Sequence, residues 1–340
     1  MSAALKGLYL HAPGLFGSLP PGAAELLAPD RGVYLAALLR RAVPRRRGAL
    51  CDFLGTGSHR HNAALAAHGA GLGGPGEYWM HAAPLHLVPD RDTLMVQGPE
   101  ALSLSRGEAE ALVGELNSFF GDNGLHFHAR EAEGWLVQVS DPASVPDCPP
   151  LEAVRGRRLS DCLPEGGRIR EWMRLLNEAQ MLLHASETSR SREAGGLPRI
   201  NGVWLWGGGV LPATTAIPWQ SLAGDDPGLR GLALVAGLPW IDPRTGAAEL
   251  ARRAAAGEAV LLSLEAAPPV TDGGSFQAWQ DWLGELEAEW LAPLHQALRH
   301  DGLPRIVIGG EDLEWHCGAR DPLRFWRRPR PLRALLERSG

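Results

Sequence analysis

Short apolar runs, each long enough for one strand, recur along the chain and constrain its fold more than any other feature. They are "LKGLYLH" (Leu5 to His11), "VWLW" (Val203 to Trp206), "AVLLSLE" (Ala259 to Glu265) and "PRIVIGG" (Pro304 to Gly310), with helical segments between the later ones. Strands alternating with helices build a parallel sheet, and sites in such sheets sit at the carboxyl ends of the strands. The expectation is an α/β fold. With 340 residues, 45% of them hydrophobic, the chain can bury one large core or two ordinary ones. No apolar run approaches the roughly 18 residues of a membrane helix. Lys6 is the one charged side chain before "GLYLHAPGLFG", which is weak for a signal peptide, so a cytoplasmic location without a membrane partner is expected.

The middle of the chain has a different texture. In "LSRGEAEALVGELNSFF", Ser105 and Glu108 form a capping box, and Ala109, Leu112, Val113, Leu116, Phe119 and Phe120 share one helical face. Two plausible strands flank it, "DTLMVQ" (Asp92 to Gln97) and "GWLVQVS" (Gly134 to Ser140). This predicts a smaller α+β domain over 76–205, inserted into a core built from 1–75 and 206–340. The Pro-rich "SDPASVPDCPPLE" interrupts the insert without ending it. Towards the end, Trp279, Trp282, Leu283, Leu286, Trp290, Leu294 and Leu298 recur at helical spacing, the pattern of a core-facing helix, with Pro293 expected to kink it.

Within the insert, Arg168 to His184 reads as an amphipathic helix packing on Ile169, Trp172, Leu176, Ala179 and Leu183. Asn177, Gln180 and His184 fall at i, i+3 and i+7 on one face, followed by Arg190, Arg192 and Asn201. Amides and an imidazole beside arginines can hold an anion, although a polar stripe is more often a solvated face. Next comes "INGVWLWGGG" (Ile200 to Gly209), an apolar run against three glycines. A glycine turn after a strand can expose N–H groups to a phosphate. This one has neither the G-x-G-x-x-G spacing nor a G-K-[ST] ending, so on its own it reads as a tight turn.

The four cysteines, Cys51, Cys148, Cys162 and Cys317, form no C-x-x-C pair and read as free thiols. The net charge of −6 argues against nonspecific nucleic-acid binding by the whole chain. Arginines nevertheless cluster in "RRAVPRRRG" (Arg40 to Gly48) and "RFWRRPRPLR" (Arg324 to Arg333), which read first as solvated surface and second as a patch for RNA or an acidic partner.

The sequence resembles the archaeal-type cofactor-independent phosphoglycerate mutases of the alkaline phosphatase superfamily. That family's helix with "LNE" leads to a His, an Arg, a Gly-x-Pro, an Asn and a Trp/Leu-rich strand with a glycine turn. Here "LLNEAQMLLH", Arg192, "GLP" (Gly196 to Pro198), Asn201 and "WLWGGG" follow in the same order. The stretch from Tyr78 to Phe120 resembles the start of the family's inserted domain, and Leu229 to Gly246 its return to the core. The "RFWRRPRPL" segment, Arg324 to Leu332, resembles the ending of the bacterial regulatory proteins of the RpfE type. The resemblance implies an alkaline-phosphatase-like parallel-sheet core with an inserted smaller α+β domain.

The resemblance also implies two divalent metals, such as Mn or Zn, held by Asp and His beside a phosphoryl-carrying Ser, and here the sequence departs. The first strand runs into "LHAPG", with His11 where the family has a metal-binding Asp. The Asp-x-x-x-His-x-x-Asp segment falls on "EAAPPVTDGG", which keeps Glu265 and Asp272; the late Asp-His pair falls where Glu311, Asp312 and His316 stand. Hard cations need several converging oxygen or nitrogen ligands. "GSHRHNAALAAHG" places Ser58 at the nucleophile position, with His59 where Asp is usual, and "SETS" (Ser186 to Ser189) replaces a Pro-Val-Asn sequence.

The expectation is therefore a phosphoglycerate mutase-like pseudoenzyme, noncatalytic or regulatory, needing no cofactor. It would bind a small anionic, phosphorylated ligand through Arg192, Asn201, His184, Asn177 and Arg190, in a cleft between insert and core. The alternative is an active metal-dependent phosphomutase or phosphatase using Ser58. Nucleic acid is not an expected partner, because the two basic clusters lie apart and only Phe325 and Trp326 interleave with them.

Overall fold

The computed structural model describes residues 6–16, 19, 25–45, 62–91, 93–164, 168–213, 217–268, 270, 276–309, 313–329 and 331–332. The chain divides into two compact units, 1–57 with 214–340, and 58–213. Both mix helices and strands.

The first unit is built on a seven-stranded sheet. Its centre is β1 (Gly7–His11), paired in parallel with β10 (Ala259–Ser263) on one side and β11 (Arg305–Gly309) on the other. Beyond β10 lie β8 (Ser221–Gly224) and β9 (Trp240–Ile241), also parallel. Beyond β11 the sheet ends on two antiparallel strands, β12 (Glu314–Gly318) and β2 (Val43–Arg45). The parallel sheet expected from the apolar runs is present. On one face, Leu8, Leu10, Val260, Leu262, Ile306 and Ile308 join a single core with Leu35, Leu250, Leu283 and Leu294. These last four come from α1 (Val33–Leu39), α8 (Ala247–Ala255), α9 (Phe276–Leu286) and α10 (Ala292–His300). In α8 the buried positions are 247, 250, 251 and 254, the i, i+3, i+4, i+7 stripe that turns one helical face to a core.

The expected kink at Pro293 takes another form. A π-helical turn, Glu287–Leu291, separates α9 from α10, and Pro293 occupies the first turn of α10. The turn has a consequence for α1. Glu287 is buried, and its carboxylate accepts hydrogen bonds from the backbone N–H groups of Gly32 (2.6 Å), Tyr34 (2.6 Å) and Leu35 (3.0 Å). The α1 N-cap is Gly32 at φ 74°, which has no side chain to accept these bonds, so a carboxylate distant in sequence caps the helix.

The second unit is organised by one long strand, β3 (Tyr78–Asp90). Its first half pairs with β6 (Trp135–Val139), which pairs in turn with β5 (Leu125–Ala129); its last residues pair with β4 (Thr93–Gln97). The other edge of β3 takes β7 (Gly202–Gly209), and every pairing is antiparallel. The "VWLW" run is thus no part of the parallel sheet. An apolar run buried on both sides reads alike in either kind of sheet, and only the pairing partner distinguishes them. Relative to the boundaries expected from sequence, β7 and α2 (Ala63–Gly69) go with the second unit, because β7 pairs with β3 and α2 packs on Trp79.

Helices α3 (Arg106–Phe120) and α5 (Ile169–Ala185) share the second core with β3 to β7. The Ser105–Glu108 capping box forms as the sequence predicts. Phe119 departs from its expected face: it is about half exposed, while Phe120 is buried. Cys148, Cys162 and Cys317 are free and buried; burial pushes the Cys148 thiol up to about 12, and Cys51 lies outside the described residues.

Replacing Glu287 with Ala leaves three helix N-terminal donors without their acceptor and is expected to destabilise the first unit by about 3 kcal/mol. Glu287→Gln, which keeps one acceptor oxygen, should cost less. Urea denaturation followed by circular dichroism, comparing midpoints at constant slope, checks both.

Candidate functional site

The carboxyl edge of the parallel sheet is where an α/β protein places its chemistry. There β1 ends on His11 and β10 on Ser263, opposite each other in register. Both side chains are buried, and His11 Nδ1 lies 3.0 Å from Ser263 Oγ. On the other side of β1, His11 is in register with Gly309, which is in turn opposite Glu314 of β12. Glu314 is buried, with its Oε1 2.6 Å from His316 Nε2 on the same strand. The turn after β8 is tight: Gly224 sits at φ 142°, and a Cβ there would lie 2.0 Å from the Ser263 carbonyl oxygen, so no larger residue fits.

The carboxylates after β8 and β9 also have local partners. Asp226 caps α7 (Pro227–Ala236) by accepting from the N–H groups of Gly228 and Leu229. Asp242 accepts from Arg244, and these hydrogen bonds hold its pKa at about 2. The neighbouring Asp225 carboxyl is pushed upward by burial and by the charge of Asp242.

A two-metal centre needs several of these groups to face the same point, and they do not. His11 turns to Ser263, Glu314 to His316, Asp226 to a helix terminus and Asp242 to an arginine. Among the described residues, no group of three or more His, Cys, Asp or Glu side chains converges as ligands would. Glu265, retained from the family pattern, is exposed. Ser58, His59, Asp272, Glu311 and Asp312 lie outside the described residues. The described donors therefore do not fit a pair of divalent ions.

The residues expected to hold an anion have other work. Arg192, on α6 (Glu187–Ala194), is buried; its Nε donates to the Pro198 carbonyl at 3.0 Å, one terminal nitrogen to Glu108 at 2.8 Å and the other to the Leu102 carbonyl. It ties the start of α3 to the loop after α6 and has no accessible surface to offer a ligand. Asn201 mimics a strand residue: it accepts from Leu87 N at 2.7 Å and donates to Leu87 O at 3.0 Å, fastening β7 to β3. Arg190 is exposed and pairs with Glu187 on its own helix; Asn177 and His184 are also exposed, His184 beside Arg199. The order shared with the mutase family thus belongs, for Arg192 and Asn201, to internal bracing. A buried guanidinium and a peptide-mimicking amide read in sequence like ligand-binding residues, because the chemistry that grips an anion also grips a carbonyl or a carboxylate.

The glycine turn is answered in the same way. Gly207 takes φ 65° at an irregularity in the β3–β7 pairing, and a Cβ on Gly208 would lie 2.2 Å from the Tyr78 hydroxyl. Asn62, beside Gly209, donates to the Val210 carbonyl at 3.1 Å. Close packing by Tyr78 and Asn62 accounts for these glycines. The pairs His11–Ser263 and Glu314–His316 had no signal in the sequence, except that "AVLLSLE" and "LEWHCG" carry polar residues inside apolar runs.

Set beside known proteins, the chain matches no protein-family model. It is 23% identical over 156 residues to the 2,3-bisphosphoglycerate-independent phosphoglycerate mutase of Methanosarcina mazei, a match covering 44% of this chain and 39% of that protein. The chain thus spans about two fifths of the length of the curated relative it matches. Among solved structures, the PH0037 protein of Pyrococcus horikoshii superposes with a TM-score of 0.56 at 12% identity, covering 98% of this chain and 93% of that one. It shares the fold. A cofactor-independent phosphoglycerate mutase of Thermoplasma acidophilum gives a TM-score of 0.46 at 15% identity, with 97% and 95% covered. No helix among the described residues is long and apolar enough to cross a membrane.

Burial raises the Glu108 pKa, but hydrogen bonds from Ser105 and Arg192 outweigh it and leave the carboxyl below its ordinary value. A depressed carboxylate contributes stability that is present above the unfolded value of 4.5 and is lost as pH falls through the lower folded value. Arg192→Met should destabilise the second unit by about 3 kcal/mol at neutral pH, and the loss should shrink as Glu108 becomes protonated. Thermal denaturation of both proteins between pH 7 and pH 3 tests this; an unchanged melting temperature at pH 7 would remove Arg192 from its bracing role.

Proposed function

We propose that this chain is a phosphoglycerate mutase-like protein that lacks a working two-metal centre and serves as a noncatalytic, regulatory binder of a small anionic ligand. The observation that carries the reading is the carboxyl edge of the parallel sheet. There His11 and Ser263 bond to each other, as do Glu314 and His316, in place of carboxylates spread to clamp metals. Two metal ions in such enzymes stabilise both the attacking and the leaving oxygen of an in-line displacement. Without them a serine hydroxyl has no activation and developing negative charge has no clamp. Similarity to the Methanosarcina mazei mutase supports the scaffold, an alkaline-phosphatase-like core. The resemblance of Arg324 to Leu332 to the ending of bacterial RpfE-type proteins supports a regulatory role, in the cytoplasm.

Elemental analysis of desalted protein, with a mutase assay on 3-phosphoglycerate in the presence of manganese, tests the proposal. The expected result is well under one equivalent of divalent metal per chain and no turnover above the protein-free rate. Retention of about two equivalents of manganese, zinc or cobalt, with turnover that a chelator abolishes, would overturn it and restore an active Ser58 enzyme.

A further inference from the structure

The first unit contains a basic cavity that neither the strand ends nor the family resemblance accounts for. Its volume is about 230 Å³, smaller than the pockets that take drug-sized ligands. The end of α1 supplies Arg40 and Arg41, α10 supplies His295 and Arg299, and the segment after β12 supplies Asp321. Three arginines thus meet around one hollow in a chain whose net charge is −6.

Their own partners do not neutralise them. Among the described residues, none of Arg40, Arg41 and Arg299 has a carboxylate within ion-pair distance. The carboxylate lining the cavity, Asp321, is buried and turned to other donors, with Gly318 N at 2.8 Å and Arg324 at 2.9 Å. Arg41 is held in place from both ends: it donates to the Pro322 carbonyl at 2.6 Å, and its own carbonyl accepts from Arg327. Its Nε is nevertheless buried and has no hydrogen-bond partner among the described residues. A buried guanidinium N–H without an acceptor costs free energy, and native structures rarely leave one so. The site therefore has a fixed arginine with one N–H lacking an acceptor, two exposed arginines, and an imidazole packed edge-on against Tyr34 at 5.8 Å.

From this geometry we infer that the cavity bounded by Arg40, Arg41, His295 and Arg299 binds the phosphate group of a small phosphate monoester. Guanidinium forks match the tetrahedral oxygens of phosphate with paired, charge-assisted bonds, and a dianion balances the excess positive charge that the cavity walls leave. The inference takes from the proposed function only the class of ligand and places it in the first unit, away from Arg192 and Asn201.

Titration calorimetry of the full chain with glycerol 3-phosphate and with inorganic phosphate, at fixed ionic strength, tests it. One saturable site per chain is expected, with affinity falling at least tenfold in Arg40→Gln/Arg299→Gln and in Arg41→Gln. Arg252→Gln, on the exposed surface of α8, should bind as the wild type does. The Arg40 and Arg299 side chains are exposed, so their double variant should keep the wild-type melting temperature even if Arg41→Gln does not fold. Unchanged affinity in the folded double variant would overturn this site while leaving an anion-binding protein in place. Absence of binding to the wild type would overturn the site and the ligand class together, and neither result touches the metal and mutase measurements.

Discussion

The central strand β1 is the constraint on which the first unit depends. It is paired in parallel on both sides and buried throughout, so its backbone groups must find partners in β10 and β11 and both rows of its side chains must suit an interior. Leu8 and Leu10 meet the helical core. On the opposite row Tyr9 is polar, and its hydroxyl accepts from Arg305 while its ring meets the edge of Trp219. The same rule reaches the end of the strand. A carboxylate at position 11 would be a buried charge needing metal ions or cations to hold it, whereas an imidazole needs one hydrogen bond, which Ser263 provides.

Buried charge is managed in both units by giving each group several local partners. Glu287 meets three backbone N–H groups at the start of α1; Arg192 meets a carboxylate and two carbonyls at the start of α3. Both act at helix N-termini, where unsatisfied donors and the helix dipole favour a negative charge, Glu287 directly and Arg192 through the capping carboxylate of Glu108. The half-buried Arg41 and Arg199 differ in that each has a buried Nε without a hydrogen-bond partner among the described residues.

Local rules made much of the architecture legible. The Ser105–Glu108 cap, the buried stripe of α3 apart from Phe119, and the strands β1, β10 and β11 follow from short-range spacing and from the apolar content a doubly covered strand requires. The placement of "VWLW" could not be read this way, since its partner β3 lies more than a hundred residues earlier in the chain. The candidate site was legible only in what it lacked. That the first apolar run ends on a histidine is visible in sequence; that this His11 turns to Ser263, 252 residues away, is not.

By itself, then, the sequence determined several strands and three long helical segments, because hydrophobic period and caps act over a few residues. It also determined that the first apolar run ends on His11 and not on a carboxylate, because identity at a position needs no coordinates. Tertiary structure decided what the remaining polar residues do. Arg192 and Asn201 look like ligand-binding residues until their partners at Glu108, Leu102 and Leu87 are seen, and Arg40 and Arg41 look like solvated surface until they are found with Arg299 around one cavity. The physical reason is that a guanidinium or an amide bonds equally well to a ligand, a carboxylate or a backbone carbonyl, and which of these it meets is fixed by contacts between segments far apart in the chain.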